Sequence, residues 1–197
     1  MNIAVFCASS QPRNTLIAVA AADLGRRIAH AGHTLLYGGS NLGLMGVVSS
    51  AAMEGGGRVV AVMPTLFSEE VIRSQRVTEL VRVGSMAERK ERLMADADAF
   101  VALPGGIGTL DEVSEVMVAN QLRLIDKPIV LLNLCGFFDP FLAQLESMRS
   151  EGFLRTVGGL QVVGSVDEAM RCIDNMKASS NPVSAFGQKG KVKPKND

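Results

Sequence analysis

The sequence of 197 residues has few of the side chains that build disulfide frameworks and metal sites. Its three cysteines, Cys7, Cys135 and Cys172, lie far apart and form no CxxC pair. Cys7 and Cys135 stand in apolar runs, so we expect buried free thiols in a reducing compartment. Neither histidine is accompanied by cysteines or carboxylates at the spacing of a metal site, and we predict no metal.

The chain also lacks a strong net charge and a long hydrophobic run. Lys and Arg number 20, Asp and Glu number 20, and the formal net charge is zero. This balance predicts neither a nucleic-acid partner nor a membrane surface. No apolar run reaches the roughly 18 residues of a membrane span. Residues 1–7 have neither the basic region nor the apolar core of a signal peptide, and we expect a cytoplasmic protein.

The last 21 residues differ in composition from the rest of the chain. Residues 177–197 contain five lysines and one acidic residue, and they are rich in Ser, Asn, Pro and Gly with little to bury. Such a segment cannot offset the entropy lost on folding. We therefore predict one domain over residues 1–176 and a disordered basic tail over residues 177–197.

Short apolar runs alternate with helical patterns through the predicted domain. The strand-like runs are residues 3–7, 34–37, 59–63, 100–103 and 129–134. The helical patterns are residues 14–31, 44–54, 86–95, 113–122, 139–150 and 166–176. This alternation predicts an α/β fold, a Rossmann-like doubly wound parallel sheet with helices on both faces. Ligands bind such sheets at the carboxyl ends of the strands.

Three of the predicted strands end in turns rich in small residues. The turns are CASS at residues 7–10, YGGSNLGLMG at residues 37–46 and PGGIGT at residues 104–109. A single turn of this kind indicates only a tight connection between a strand and a helix. Parallel strands share polarity, however, so all three turns should emerge at one sheet edge. We expect them to line one crevice with backbone donors.

The third turn has the composition of an anion site. A glycine-rich turn before a helix leaves backbone N–H groups free, and the helix start adds partial positive charge, which suits a phosphate. We expect Glu112 in the first turn of the helix that follows. A carboxylate beside a bound phosphate is electrostatically unfavourable, which makes a chemical role for Glu112 worth testing.

The glycine-rich turns do not match the common cofactor loops. No Gly-Lys-Ser/Thr follows any of them, which excludes a Walker A loop. The spacing at residues 38–43 is not GxGxxG, and no acidic residue closes a strand about 20 residues further on, as a dinucleotide site requires. A dinucleotide cofactor is therefore disfavoured. No serine lies in a GxSxG context either.

A charged segment, MAERKER at residues 86–92, allows two interpretations. Charge runs of this kind usually form a solvated helix face. Alternatively, Arg89 supplies a planar guanidinium that can clamp a phosphate or a carboxylate. The residues by themselves leave both open.

The sequence PGGIGTLDE at residues 104–112 resembles the PGGxGTxxE signature of the Lonely Guy family, once described as lysine decarboxylases. That family places an Arg-Lys pair upstream, here Arg89 and Lys90. The resemblance extends to the Ser9-Ser10 turn and to the glycines of residues 38–46, and it spans roughly residues 1–175. The resemblance implies a Rossmann-like fold and a homodimer.

The same resemblance implies an activity and a site. Family members cleave the N-glycosidic bond of cytokinin riboside 5′-monophosphates, and often of AMP, without a metal or an organic cofactor. Arg89 and Glu112 would be the catalytic pair. The residues implied to contact the substrate are Ser9, Gly38, Gly39, Met86, Lys90, Gly105, Gly106, Gly108 and Thr109. An oxocarbenium-like cation forms in such hydrolysis, and the carboxylate of Glu112 could stabilise it.

Five positions depart from the family pattern. They are Ala8, Ser40, Ala87, Ala119 and Arg123. Arg89 and Glu112 are retained, so the departures bear on the base that is accepted and on the dimer contact more than on the hydrolysis. The alternative is a non-catalytic nucleotide-binding or molybdenum-cofactor-binding protein of the same architecture. Decarboxylation of an amino acid is disfavoured, because it usually needs an electron-sink cofactor bound through a lysine.

Overall fold

The computed structural model describes residues 1–67, 77–155 and 158–180. Seven strands of these residues form one parallel sheet in the order β4-β3-β2-β1-β5-β6-β7. The strands are β1 (Asn2–Phe6), β2 (Thr34–Tyr37), β3 (Arg58–Pro64), β4 (Glu79–Val83), β5 (Ala99–Ala102), β6 (Ile129–Leu132) and β7 (Leu160–Val163). The helices are α1 (Thr15–His30), α2 (Gly43–Glu54), α3 (Met86–Asp96), α4 (Ile107–Gln121), α5 (Asp139–Ser150) and α6 (Val166–Ser180).

The helices cover both faces of the sheet, which confirms the doubly wound fold. Successive strand residues point to opposite faces, so each strand contributes to two cores. Helices α1, α2 and α6 pack on one face, around Leu24, Val48 and Ile173. Helices α3, α4 and α5 pack on the other face, around Leu93 and Val113. Every helix thus buries an apolar stripe against the sheet, and the strand order reverses between β1 and β5.

The two edge strands were not predicted from the sequence. Strand β4 contains Glu79 and Arg82, and strand β7 contains Gln161, so neither has the continuous apolar run of a strand buried on both faces. An edge strand tolerates polar side chains because one of its sides meets no further strand. Its pairing is decided by the neighbouring strand, here β3 and β6.

Three local predictions need correction. Helix α4 begins at Ile107, not at residue 113, and Gly106 is its N-cap. Glu112 consequently lies in the second turn, and no acidic residue occupies the first. Cys7 is buried as expected, but Cys135 is exposed, because strand β6 ends at Leu132 and a short 3₁₀ segment follows.

The predicted tail is largely outside the described residues. Helix α6 continues to Ser180, four residues past its expected end, and residues 181–197 are not described. The disordered tail therefore stays a prediction. No helix in the described part of the chain has the length and apolar character to cross a membrane.

Candidate active site

The three turns rich in small residues meet at one cavity of about 850 Å³. They follow β1, β2 and β5, the strands at and beside the point where the strand order reverses. The cavity is lined by Cys7, Ala8, Ser9, Ser10, Gly38, Ser40, Asn41, Leu42, Met45, Met63, Phe67, Met86, Arg89, Lys90, Gly106, Gly108, Thr109, Asp111 and Glu112. The expectation that these turns share one crevice is met by the geometry.

A buried ion pair lies at the inner end of this cavity. Nη2 of Arg89 donates a hydrogen bond to Oε1 of Glu112 at 2.9 Å. Arg89 is 7% exposed and Glu112 is 6% exposed. The solvated-face interpretation of residues 86–92 thus holds for Glu88, Glu91 and Arg92, which are exposed, but not for Arg89. The two residues are 23 positions apart in sequence, and α3 and α4 bring them together.

Gly38 provides the space that the guanidinium occupies. A Cβ atom built on Gly38 would lie 1.9 Å from Nη2 of Arg89 and 2.7 Å from its Cζ, well inside van der Waals contact. Nη1 of Arg89 contacts Sδ of Met86 at 3.7 Å. Nε of Arg89 is buried and has no hydrogen-bond partner among the described residues. The guanidinium is therefore held in one place and keeps an unused donor.

Burial changes the acidity of the groups around the pair. Removal from water raises the pKa of Glu112 to about 7, although the positive charge of Arg89 opposes this shift. The pKa of the Cys7 thiol is raised as well, chiefly by burial and also by the charge of Glu112. Cys7 therefore stays a neutral thiol, while Glu112 changes its charge close to neutral pH.

The start of helix α4 also lines the cavity. The N–H groups of Ile107 and Gly108 have no acceptor within the helix, and no acidic side chain in the first turn offsets the positive end of the helix dipole. Cβ atoms built on Gly106 or Gly108 would meet nothing within 4 Å, so the backbone there is open to a ligand. A Cβ on Gly105 would lie 2.1 Å from Oγ1 of Thr109. A helix start of this kind suits an anion.

The predicted substrate contacts fall into two groups. Ser9, Gly38, Met86, Lys90, Gly106, Gly108 and Thr109 line the cavity. Gly39 and Gly105 are not among the lining residues. Gly39 packs against Met63 with a φ of +86°, and Gly105 packs against Thr109. These two glycines shape the turns from behind the cavity wall.

Lys90 lines the cavity but is already engaged by two carboxylates. Its Nζ lies 3.0 Å from Oδ2 of Asp111 and 3.1 Å from Oε2 of Glu115. Both contacts raise the pKa of the lysine. Within the described ranges, no group of three or more His, Cys, Asp or Glu side chains is placed to hold a metal ion.

The apolar part of the cavity was missed by sequence reasoning. It consists of Leu42, Met45, Met63, Phe67 and Met86. Methionines are common core residues, and their spacing along the chain does not mark a pocket. The one available signal was position, because Met63 is the last residue but one of β3 and Met45 lies within the segment of residues 37–46.

The departures from the family pattern are placed unevenly. Ala8 and Ser40 line the cavity, whereas Ala87, Ala119 and Arg123 do not. Ala119 is buried, and Arg123 is exposed just beyond the end of α4. Its φ of 58° lies in the left-handed region that favours glycine. Because Arg123 does not line the cavity, it does not reshape the described pocket.

Comparison with protein families and curated relatives gives consistent matches. A family model described as "Possible lysine decarboxylase" matches residues 45–176. The chain is 43% identical over 152 residues to the rice (Oryza sativa subsp. japonica) cytokinin riboside 5′-monophosphate phosphoribohydrolase LOG, an alignment covering 77% of this chain and 63% of that protein. It is 37% identical over 178 residues to LOG4 of Arabidopsis thaliana, which bears the same enzyme name, covering 90% of this chain and 82% of that protein.

Solved structures with the same fold include molybdenum-cofactor proteins. The molybdenum cofactor carrier protein of Chlamydomonas reinhardtii superposes with a TM-score of 0.67 at 27% identity, covering 90% of this chain and 98% of that chain. The molybdenum cofactor binding protein of Rippkaea orientalis gives a TM-score of 0.67 at 25% identity, covering 89% of this chain and 96% of that chain.

Proposed function

The chain belongs to the LOG family of cytokinin riboside 5′-monophosphate phosphoribohydrolases, and from that premise we propose that it hydrolyses nucleoside 5′-monophosphates. Water would replace the base at C1′ of the ribose, and the products would be the free base and ribose 5-phosphate. Cytokinin riboside 5′-monophosphates and AMP are the proposed substrates. The chain spans 63% of the length of the rice relative.

The observation that carries this proposal is a buried Arg89–Glu112 pair that lines the same cavity as the N-terminus of α4. Glu112 lies five residues after Ile107, a rise of about 7.5 Å along α4. This separation is of the order of the distance between the 5′-phosphate and C1′ of one ribose. A phosphate bound at the start of α4 would therefore bring the anomeric carbon near Glu112.

In this arrangement the chain supplies positioning and charge. The N–H groups of the first turn of α4, with Thr109, would bind the phosphate and convert remote binding energy into orientation of the ribose. The carboxylate of Glu112 would stabilise the cation that develops at C1′ and take a proton from the attacking water. The departing base would leave with the electron pair of the C1′–N bond and receive a proton. Arg89 would hold Glu112 in place.

Two other activities fit the site less well. Binding of a nucleotide or molybdenum cofactor without turnover is the alternative that the carrier-like structures support. A buried carboxylate that titrates near neutral pH is more useful for chemistry than for binding alone. Decarboxylation through a lysine Schiff base needs a neutral amine. Lys90 is the lysine that lines this cavity, and two carboxylates raise its pKa.

The proposal predicts release of free base from nucleotides. We expect adenine from AMP and isopentenyladenine from the corresponding riboside monophosphate, both measured by chromatography. Adenosine is the matched substrate without the phosphate and should give none, because the helix N-terminus would have no anion to hold. Folded protein that releases no base from either monophosphate would overturn the hydrolase assignment and favour the binding protein.

We also propose a homodimer in the cytoplasm, where the three free cysteines would stay reduced. Val118 lies near the end of α4, and Leu122 and Leu124 follow the helix. Each has more than half of its surface exposed. A short apolar stripe of this kind is typical of a protein interface, and a second copy of the chain would cover it.

Light scattering should therefore give a mass twice the 20.9 kDa of the chain. We expect Leu122→Glu to lower it to that of a single chain, because the glutamate would be buried without a partner. Leu16→Glu on α1 is the matched control, since Leu16 is equally exposed away from this stripe. A single-chain mass for the unmodified protein would exclude the dimer.

A further inference from the structure

Two neighbouring residues of α3 contact two neighbouring residues of α4. The inner pair is Arg89 with Glu112, and the outer pair is Lys90 with Asp111, joined by Nζ and Oδ2 at 3.0 Å. Lys90 also reaches Oε2 of Glu115, one turn further along α4, at 3.1 Å. The outer group contains one cation and two anions, and it lies directly beside the proposed catalytic carboxylate.

The charges of this outer group act on Glu112 in opposite directions. Lys90 favours the ionised carboxylate, whereas Asp111 and Glu115 oppose it. Among the described residues, the other titratable group that faces Glu112 is Cys7, a buried neutral thiol directly after β1. The cation of Arg89 favours the ionised form of Glu112, and the burial of the site opposes it.

The contacts of Lys90 also limit its use as a substrate ligand. Its side chain is 20% exposed, and its ammonium is already bonded to two carboxylates. The ammonium has three N–H donors, so these two contacts leave one donor for a substrate. The N–H groups of Ile107 and Gly108 at the start of α4 have no acceptor within the helix.

We propose that Lys90 is a positioning residue, whose ammonium, clamped between Asp111 and Glu115, offsets these two carboxylates and so sets the pH range over which Glu112 is charged. This inference rests on the proposed function only where base release is used as the measure of the charge of Glu112. The role proposed for Lys90 is exerted through the charge of Glu112.

Substituting either partner of the outer pair distinguishes an electrostatic effect on Glu112 from a purely structural contact between α3 and α4. Lys90→Met and Asp111→Asn both break the Lys90–Asp111 contact, so a simple tether between α3 and α4 would respond in the same way to both. An electrostatic role predicts shifts of opposite sign. Lys90→Met should raise the titration midpoint of Glu112, and Asp111→Asn should lower it.

We expect each shift to be about half a pH unit, because the outer group is partly solvated and its charges are screened. Below the midpoint this corresponds to about a threefold change in the ionised fraction. Glu115→Gln should move the midpoint in the same direction as Asp111→Asn. Lys90→Arg keeps the charge and should leave the midpoint near that of the unmodified protein, about pH 7.

The direct test is a carboxyl titration of the ligand-free full-length protein by ¹³C NMR, with the Glu112 signal identified by its loss in Glu112→Gln. The kcat/KM–pH profile for base release from AMP is the second readout. It should rise through the same midpoints, because the ionised carboxylate is the active form.

Opposite shifts in the titration support the proposal, while equal or absent shifts overturn it. A higher KM in Lys90→Met with an unmoved midpoint also overturns it, because Lys90 would then be a substrate ligand. If Lys90→Met does not fold, the direction of the shifts in Asp111→Asn and Glu115→Gln decides. Absence of base release from every variant, the unmodified protein included, would contradict the proposed function, and the NMR titration would still decide the role of Lys90.

Discussion

Replacing Glu112 by Gln is expected to lower kcat/KM for base release from AMP by about 1,000-fold, within the range found when a general base or a preorganised stabilising group is removed. Gln keeps an oxygen that can accept the hydrogen bond now donated by Nη2 of Arg89 at 2.9 Å. It cannot take a proton from water or carry the charge that stabilises the cation at C1′. The loss should therefore be chemical rather than structural.

Rates of base release, measured by chromatography above pH 7.5, would quantify this loss, because Glu112 is ionised there in the unmodified protein. Circular dichroism and thermal unfolding would check the fold. Glu146→Gln removes an exposed carboxylate that pairs with Arg149 on α5, and it is the matched control that should retain full activity. A Glu112→Gln protein that keeps more than a tenth of the rate would exclude Glu112 as the catalytic carboxylate.

Replacing Gly38 by Ala is expected to cost about 100-fold in kcat/KM, since displacements of about 1 Å in a site can have effects of this size. The new Cβ would lie 1.9 Å from Nη2 of Arg89, so the guanidinium would have to leave its position beside Glu112. The flexible end of the arginine can move, so we expect the protein to fold. Gly158→Ala is the matched control, because its Cβ would meet nothing within 4 Å.

A double-mutant cycle would show whether Gly38 acts through Arg89. In the Arg89→Ala background the space beside Gly38 is empty, so adding Gly38→Ala should cost no further activity. Equal costs in both backgrounds would instead mean that Gly38 acts independently, for example through its own backbone contact with the substrate. The measurement requires only the kcat/KM values of the four proteins.

Elements that depend on local sequence patterns were predicted correctly, whereas elements that depend on long-range contacts were not. Strands β1, β2, β3, β5 and β6 are buried, and their apolar runs identified them. Strands β4 and β7 have mixed composition, and hydrogen bonds to β3 and β6 hold them in the sheet. The start of α4 was predicted too late in the sequence, because Gly105, Gly106 and Gly108 have low helix propensity. In the structure the helix nevertheless begins at Ile107.

The candidate site likewise has features that the sequence predicted and features that it did not. Membership of the LOG family followed from the motif of residues 104–112 and the pair Arg89-Lys90, and the comparisons confirm it. The roles of the individual residues stay predictions. The charge run of residues 86–92 did not by itself show that Arg89 is buried while Glu88 and Arg92 are exposed, because burial depends on how α3 packs in the fold.

By itself the sequence determined the fold class, the three turns at one sheet edge and the family, because each depends on local periodicity or on a short motif. Only the tertiary structure decided that Arg89 and Glu112 form a buried pair, that Gly38 makes room for the guanidinium and that Lys90 lies between two carboxylates. These features depend on distances between α3, α4 and the end of β2. Burial there raises the pKa of Glu112, and burial is a property of the packed chain rather than of any one segment of it.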